Sequence, residues 1–429
     1  MQSRSTRRQF LRGLAACSLS LASQRLAWAA NSHIQVGVVG LGSRGFNLLE
    51  SFLKESDVKV VALCDVHDLH YRDMPWEKGR AMGLRPAADL VKQKSGHLPE
   101  QTNDYRQLCG RSDLDAVVVA TPDHWHAQCT LEALRHGKDI YCEKPVTHLF
   151  AEGQRICDEV DQRKAVFQTG SQQRSDPLFR QALKLIDAGL IGPVQSIEVG
   201  LPPGYDGPQG STDVATPPNG LNYDRWCGPA SLLPYMRARH HRWWRGHTAY
   251  GGGVLMDWIG HHNDIAHMSL KTTGPVEVRS VGWEFPDTPI YNTPAQYTIA
   301  CTYEGGVTST ISSRNTQGVK WIGPQGWIYV TRGKLEASNP EWIKPLPKGS
   351  PDATDLHVRN FVDCVKSRSV CIAPPRDAHR SITPGHLGYV AQAVGRPLKW
   401  HPQTEQIVGD AEADKLLKYV EYRSGWETA

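Results

Sequence analysis

The sequence predicts an α/β fold with two domains: a doubly wound N-terminal domain, and a C-terminal α+β domain with a large, mostly antiparallel open sheet. Short apolar strands alternate with helical patterns in the first part, which is typical of βαβ units and a parallel sheet. Later segments alternate apolar and polar residues, which fits antiparallel strands with one exposed face. The 429 residues are enough for two domains that each bury a core.

The first 29 residues have the pattern of an export signal. Arg7 and Arg8 precede a short apolar run, and Ala27-Trp28-Ala29 fits a small-x-small cleavage site. The stretch "TRRQFL" resembles the twin-arginine signal, whose transporter carries folded proteins. A run of about ten apolar residues is too short to span a membrane, which takes roughly 20, so we predict no transmembrane span. We expect cleavage after Ala29 and a periplasmic protein, with lipid attachment at Cys17 as the lesser alternative.

Composition excludes several classes of protein. The chain has 48 Lys and Arg against 44 Asp and Glu, but five of the arginines lie in the predicted signal, so the mature protein is nearly neutral. A nucleic-acid partner is not expected, because no basic run is present. The ten cysteines are scattered without a Cys-x-x-Cys pair, which favours free buried thiols over disulfides or a zinc site.

The elements follow in order along the two domains. Residues 33–160 are predicted as the first domain, with strands in "HIQVGVV", "DVKVVALC", "LDAVVVA" and "KDIYC". Residues 161–429 are predicted as the second, with a helix in "LFRQALKLIDAGLIG" and strands in "VEVRSVGWEF", "AQYTIACTY" and "GWIYVTRGKLEA". The C-terminal stretches "LHVRNFVDCVKS" and "HLGYVAQAVG" are predicted helices with the option of packing back on the first domain.

A glycine motif, G-x-G-x-x-G at residues 40–45, joins the first strand to the first helix. Gly40 permits the tight turn, Gly42 lets the backbone approach a pyrophosphate, and Gly45 allows close packing of helix on sheet. The phosphates would lie at the helix N-terminus, where free N–H groups point at the anion. Strand, motif and helix together predict a Rossmann dinucleotide site.

The second half of this fingerprint is Asp65, at the end of the next strand and 20 residues after Gly45. That offset matches the acid that binds the adenine-side ribose. Its charge would repel a 2′-phosphate, so NAD is the predicted cofactor. Arg44 and His67 lie close in sequence and keep NADP as the alternative.

A third motif, Glu143-Lys144-Pro145, follows the strand that ends at Cys142. Ligands bind at the carboxyl ends of parallel strands, so Lys144 is expected to face the cofactor cleft. A lysine there can donate a hydrogen bond to a sugar hydroxyl. The alternative is a solvated lysine at a strand end.

With these motifs, nearly all of residues 33–429 resembles the glucose-fructose oxidoreductase, inositol dehydrogenase and rhizopine catabolism protein family (Gfo/Idh/MocA). The resemblance rests on the glycine motif, "TPDHWH", "EKP" and "GGGVLMDWIGHHNDIAH". It implies a homo-oligomeric, nicotinamide-dependent oxidoreductase that acts on a sugar or cyclitol. The residues expected at the cofactor are Gly40, Gly42, Ser43, Arg44, Gly45, Asp65, Thr121, Pro122, His124, His126, Glu143 and Lys144.

The resemblance also implies three catalytic residues: the motif lysine corresponds to Lys144, and an Asp-x-x-x-His pair to Asp257 and His261. On a helix this spacing puts acid and imidazole on one face. Oxidation of an alcohol gives a hydride to the nicotinamide and a proton to a base, and histidine suits the second task near neutral pH. Asp257 would orient substrate or imidazole, and Lys144 would stabilise the developing alkoxide.

Candidates on the substrate side carry a weaker signal. Aromatic faces stack on sugars and arginines bind acidic groups, and two residues that follow a strand are candidates for the cleft. The candidates are Gln173, Arg174, Trp243, Trp244, Tyr250 and His262. The stretch "HHNDIAH" has metal-ligand residue types, but we interpret its histidines as helix residues with protein partners and predict no metal.

Export constrains the reaction. A protein that folds around a tightly bound NAD before export would carry it across, but one that released NADH outside would turn over once. One solution is a second substrate that reoxidises the cofactor. The other is a redox-neutral cycle, that of a glycoside hydrolase that works through a 3-keto sugar. In that cycle Tyr250, or a histidine other than His261, would be the base for the C2 proton. A third alternative is a non-catalytic sugar-binding protein that retains NAD.

Overall fold

The computed structural model describes residues 33–74, 77–347 and 349–426, so the predicted signal and Cys17 lie outside it. The described strands are β1 (Ile34–Val39), β2 (Val58–Cys64), β3 (His70–Tyr71), β4 (Ala81–Met82), β5 (Glu100–Thr102), β6 (Ala116–Val119), β7 (Asp139–Glu143), β8 (Phe167–Gly170), β9 (Ser196–Gly200), β10 (Glu277–Glu284), β11 (Gln296–Thr302), β12 (Thr308–Ser312), β13 (Gly318–Gly323), β14 (Gly326–Thr331), β15 (Lys334–Ala337), β16 (Leu398–His401) and β17 (Gln406–Ile407). The α-helices are α1 (Ser43–Phe52), α2 (Leu84–Ser95), α3 (Tyr105–Cys109), α4 (His126–Arg135), α5 (Phe150–Arg163), α6 (Pro177–Asp187), α7 (Tyr223–Cys227), α8 (Gly253–Leu270), α9 (Ala353–Ser367), α10 (Pro375–Val394) and α11 (Ala411–Leu417).

The first sheet has six strands in the order β5-β2-β1-β6-β7-β8, and every pair is parallel. The central strand β6, with the sequence AVVV, is apolar and buried along its whole length, because helices cover both faces of the sheet. This confirms the predicted doubly wound fold. The predicted boundary at residue 160 falls inside α5, and the sheet gains β8 beyond it.

The second sheet has nine strands in the order β15-β14-β13-β9-β12-β11-β10-β16-β17. Only the pair of β9 and β12 is parallel among its described pairs, which confirms the predicted, mostly antiparallel sheet. Along β11 buried and half-buried residues alternate, as expected when one face packs on a core. The helix α6 that precedes this sheet begins at Pro177, and the Asp176 side chain accepts hydrogen bonds from its first N–H groups.

Helices of the C-terminal half connect the two sheets. In α9, the ring of Phe361 lies edge-on to the rings of Phe52 and Tyr141, with centroid distances of 6.2 and 5.7 Å. This helix therefore covers the first sheet. The long helix α8 passes the carboxyl end of β7, where a Cβ on Gly260 would lie 3.3 Å from that of Lys144. The absence of a side chain at Gly260 therefore brings the two domains close at the third motif.

The described cysteines are all free and buried, which agrees with their interpretation as thiols of the core. Among the described helices, none combines the length and the hydropathy needed to cross a membrane.

Candidate functional site

The glycine loop between β1 and α1 shows why each glycine is needed. Gly40 has a φ of +89°, and a Cβ there would lie 2.7 Å from the backbone of Ala120. A Cβ on Gly45 would lie 2.0 Å from the carbonyl oxygen of Gly40. At Gly42, which precedes α1, a Cβ would meet nothing within 4 Å. Two glycines thus close the turn, and the third leaves open space at the helix N-terminus, where an anion is favoured.

This space belongs to a cavity of about 570 Å³ that runs from the glycine loop to Asp257 and Trp244 of the second domain. The predicted cofactor residues that line it are Gly40, Gly42, Ser43, Arg44, Asp65, Thr121 and Pro122. The hydroxyl of Thr121 is buried and has no hydrogen-bond partner among the described residues. An open cradle at Gly42 and a free hydroxyl on the opposite strand end fit a nucleotide.

The Asp65 carboxylate holds the glycine loop through hydrogen bonds to backbone N–H groups. One of its carboxylate oxygens accepts a hydrogen bond from the Leu41 N–H at 2.5 Å, and the other from the His67 N–H at 2.8 Å. Burial raises the pKa of Asp65 to about 6, although these backbone donors oppose the shift. Asp65 therefore holds the glycine loop in shape and also faces the cavity.

Lys144 and Asp257 form an ion pair between the domains. The Lys144 ammonium donates to the carboxylate and to the backbone carbonyl of Asp257, both at 2.7 Å, and Arg245 Nε lies 3.1 Å from the same carboxylate oxygen. Burial alone would raise the pKa of Asp257, but Arg245 and Lys144 hold it well below its usual range. Asp257 thus stays ionised between two cations.

His261 lies one helical turn after Asp257 in α8, and its ring is buried. Its Nδ1 has no hydrogen-bond partner among the described residues. Burial lowers the pKa of His261 well below its ordinary value, and the charges of Lys144 and Arg332 lower it further. The structure therefore brings the three predicted catalytic residues together, with a neutral imidazole beside the ion pair.

Glu143 supports this arrangement from the end of β7. Its carboxylate accepts hydrogen bonds from Arg44 Nε at 2.7 Å and from the Gln172 amide at 2.8 Å. It is buried, and through this contact it fixes Arg44 at the glycine loop.

His124 and His126 were predicted at the cofactor, and the structure corrects both. The two nitrogens of His126 lie 2.7 Å from the Pro145 carbonyl oxygen and 3.1 Å from that of Thr121. Those of His124 lie 2.9 and 3.2 Å from carbonyl oxygens of the second domain. Neither ring lines the cavity, and each ring nitrogen lies near a backbone carbonyl oxygen, of which the single N–H of a neutral imidazole can donate to one. These histidines fasten the loops on which the cofactor residues lie.

Arg174 and His262 are also corrected, from substrate candidates to internal braces. Arg174 makes two 2.7 Å contacts to Asp264, and both side chains are buried. His262 is fully buried with Nδ1 at 2.8 Å from the Gly200 carbonyl oxygen. Neither side chain can reach a substrate.

Tyr250 was a candidate for sugar stacking and for a base, and the structure corrects this too. The side chain is fully buried and its hydroxyl donates to the Ser231 carbonyl at 3.0 Å. Burial raises the pKa of Tyr250 well above its ordinary value. A phenol that is buried, bonded and weakly acidic is not a usable base.

Of the other aromatic and amide candidates, Trp244 lines the cavity and Trp243 and Gln173 do not. Trp244 lines it beneath the Arg245 guanidinium, which sits 4.2 Å from the ring centroid, whereas half-buried Trp243 packs on Tyr205 at 5.7 Å. In the amide orientation that gives both polar atoms a partner, the Gln173 nitrogen donates to the His261 carbonyl at 3.0 Å and its oxygen accepts from Arg332 Nε at 3.3 Å. Gln173 therefore steadies the helix that carries the imidazole.

Sequence reasoning missed Asp123, which directly follows Pro122. Its carboxyl is 2% exposed, and Oδ2 has no partner within the described residues. Burial raises the pKa of Asp123 to about 7, against the opposing charge of Arg245. An acid four residues after the end of β6 was the available signal. Near neutral pH this group can give or take a proton beside Arg245 and Asp257.

The chain is similar to curated proteins over less than half of their length. The chain is 29% identical over 201 residues to a glycosyl hydrolase family 109 protein of Stenotrophomonas maltophilia, which covers 45% of this chain and 41% of that protein. It is 27% identical over 213 residues to an alpha-N-acetylgalactosaminidase of Shewanella oneidensis, which covers 43% of each.

Solved structures share the fold, and family models match both domains. The WlbA dehydrogenase from Bordetella pertussis, in complex with NADH and UDP-GlcNAcA, aligns with a TM-score of 0.62 at 17% identity over 86% of this chain and 99% of that chain. Residues 34–171 match the oxidoreductase family's NAD-binding Rossmann fold, and residues 178–428 match its C-terminal alpha/beta domain. Because these two matches span nearly all of the described residues, the chain belongs to the Gfo/Idh/MocA family of oxidoreductases.

Proposed function

We propose that the protein is an NAD-dependent oxidoreductase that acts on a hydroxyl of a sugar, a sugar derivative or a cyclitol. The observation that carries the proposal is the meeting of the Lys144–Asp257 ion pair with the imidazole of His261, whose Nδ1 has no hydrogen-bond partner among the described residues. Asp257 lines the far end of the cavity that begins at the glycine loop. An ammonium, a carboxylate and a neutral imidazole are the groups that oxidation of an alcohol requires.

Residues of the first domain would hold the cofactor. The backbone at Gly42 and the N-terminus of α1 would bind the pyrophosphate, and Asp65 the adenine-side ribose. The negative charge of Asp65 favours NAD over NADP. When bound, the nicotinamide supplies the hydride acceptor.

The cluster between the domains would carry the proton chemistry. A lysine ammonium has three N–H donors, and Asp257 accepts from two at 2.7 Å, so the third remains for the substrate oxygen. That donor would stabilise negative charge as the hydroxyl proton leaves. His261, whose pKa is lowered by burial, is neutral at pH 7 and would accept this proton.

The test uses the protein purified without added cofactor. Native mass spectrometry would show whether a dinucleotide remains bound, and absorbance in the reduced-nicotinamide band would be followed while sugars and cyclitols are supplied. Lasting reduction by one of them supports the oxidoreductase. Bound dinucleotide that no sugar or cyclitol reduces, with sugar binding retained, would instead indicate a non-catalytic sugar-binding protein.

A redox-neutral glycoside hydrolase is the second candidate, favoured by the similarity to a glycosyl hydrolase family 109 protein and to an alpha-N-acetylgalactosaminidase. In this cycle the same residues would act on the C3 hydroxyl, after which the C2 proton and the C1 group leave, water adds, and the ketone is reduced again. Asp123 replaces Tyr250 as our candidate for the second proton, because its Oδ2 has no hydrogen-bond partner among the described residues, whereas the Tyr250 hydroxyl donates to a backbone carbonyl. The pKa of Asp123, raised to about 7, agrees with this role. Release of an aglycone from an aryl glycoside without lasting reduction would identify this reaction.

We further propose export of the folded, NAD-loaded protein to the periplasm, supported by the twin-arginine pattern of residues 1–29. Replacement of Arg7 and Arg8 by lysine should keep the protein in the cytoplasm on cell fractionation. Unchanged periplasmic recovery of this variant would contradict the twin-arginine route. The homo-oligomer stays a prediction, which gel filtration with light scattering would test.

A further inference from the structure

Four histidines from the two domains meet at the rim of the cavity. His67 follows β2 and His70 begins β3, whereas His240 and His241 lie in the second domain beside a short 3₁₀ segment, residues 241–246. Donor nitrogens of His67, His70 and His241 all lie within 4.8 Å of one another. The ring centroids are 4.2 Å apart between His70 and His241, and 5.0 Å apart between His67 and His70.

These imidazoles lack the partners that buried polar groups normally have. Nδ1 of His67 and both nitrogens of His240 are buried without a hydrogen bond to any described residue. A buried polar atom without a partner costs about 1–3 kcal/mol, so such a cluster needs an explanation. By contrast, both nitrogens of His124 and of His126 lie near backbone carbonyl oxygens.

We propose that His67, His70 and His241 bind one divalent transition-metal ion of the zinc class. Imidazole is a preferred ligand of Zn²⁺, and three histidines with an open fourth position form a recognised zinc geometry. His240, whose ring centroid is 4.0 Å from that of His241, is the nearest candidate for the fourth ligand. His241 has a φ of +51°, a left-handed conformation that is uncommon for a residue with a side chain and is often found at ligand sites.

The ion would tie the two domains together beside Asp65. The segment between β9 and α8, which carries His241, already meets this end of β2, because the Asn222 N–H donates to the Val66 carbonyl at 2.8 Å and the Asp68 N–H to the Gly220 carbonyl at 3.0 Å. A metal bridge would add a side-chain link to these backbone contacts. The sequence predicted no metal because its ligands come from two distant segments with no ligand spacing in either.

The test is a titration of the chelator-treated holoprotein with Zn²⁺ by calorimetry, and with Co²⁺ by visible absorption. We expect one ion per chain, a tetrahedral Co²⁺ spectrum, and a loss of affinity of tenfold or more in both H70A and H241A. His136→Ala, at an exposed site after α4, is the matched control and should bind like wild type. Because no sugar is present, the result is independent of the proposed function.

Thermal unfolding separates loss of the site from loss of the fold. The metal-free variants should unfold at the midpoint of the metal-free wild type, and Zn²⁺ should raise the midpoint only of the wild type and His136→Ala. Absence of Zn²⁺ binding to the wild type would overturn the proposal. Wild-type affinity in both H70A and H241A would overturn it as well.

Discussion

Replacement of Lys144 by methionine tests the proposed site most directly. The ammonium makes two 2.7 Å contacts to Asp257 and its side chain is 12% exposed, so solvent screens the pair little. Removal of one partner of a buried ion pair costs about 3–5 kcal/mol when the other charge is left alone. Here Arg245 still lies 3.1 Å from the carboxylate. We therefore expect a smaller loss in the free energy of unfolding, about 2–3 kcal/mol, which urea denaturation would measure.

Lys144→Met should lower the rate of catalysis by more than its loss of stability accounts for, and the two effects can be measured separately. Loss of a donor aimed at developing charge typically lowers kcat by about 10²–10³-fold. Turnover would be measured on folded protein with NAD bound. Lys138→Met is the matched control, because Lys138 is also buried and donates to the Leu114 carbonyl at 2.8 Å, remote from the cluster. It should lose stability but keep turnover. A Lys144→Met enzyme that keeps kcat within about threefold of wild type would refute the assigned role of this donor.

Three further predictions follow from other parts of the structure. His261→Asn should lower kcat about 100-fold. Protonation disables this base and burial lowers its pKa, so the wild-type rate should fall only at a pH well below the usual histidine pKa of about 6.5. A pH–rate profile whose acid limb lies at or above that pH would contradict this. Gly42→Val should weaken NAD binding at least tenfold in calorimetry and leave the melting midpoint unchanged, because its Cβ enters open space. Gly45→Val should unfold the domain, because its Cβ would lie 2.0 Å from the Gly40 carbonyl oxygen. Equal effects of the two variants would count against the open space at Gly42 as the phosphate site. Arg174→Met leaves Asp264 buried and alone, so the free energy of unfolding should drop by about 3–5 kcal/mol in urea, and a loss below about 1 kcal/mol would contradict the assignment as an internal brace.

The sequence predicts well what depends on local spacing. The glycine motif is a turn whose geometry is set within six residues, so Gly40, Gly42 and Gly45 occupy the predicted places. Asp257 and His261 share a helix, and their spacing alone puts them on one face. Periodicity likewise predicts both sheets, because burial on two faces or on one face leaves different patterns along a strand.

What the sequence cannot show is the direction in which a polar side chain turns. His124, His126 and His262 lie within the right motifs, yet each ring turns to backbone carbonyls. A histidine beside a catalytic residue and one that satisfies a buried carbonyl have the same one-letter context. Arg174 illustrates the same limit, since its partner Asp264 lies 90 residues away in sequence.

The correction at Tyr250 bears on the choice between the two candidate reactions. Simple oxidation needs one proton acceptor, which the unpartnered imidazole of His261 provides. The redox-neutral route needs a second group that exchanges a proton near neutral pH, and the buried carboxyl of Asp123, with its pKa raised to about 7, has this property. The charges of Arg245 and Asp257 act on Asp123 in opposite directions, since Arg245 lowers its pKa and Asp257 raises it. We infer that one set of residues serves either reaction, and that a leaving group at C1 of the sugar decides which of them follows the oxidation.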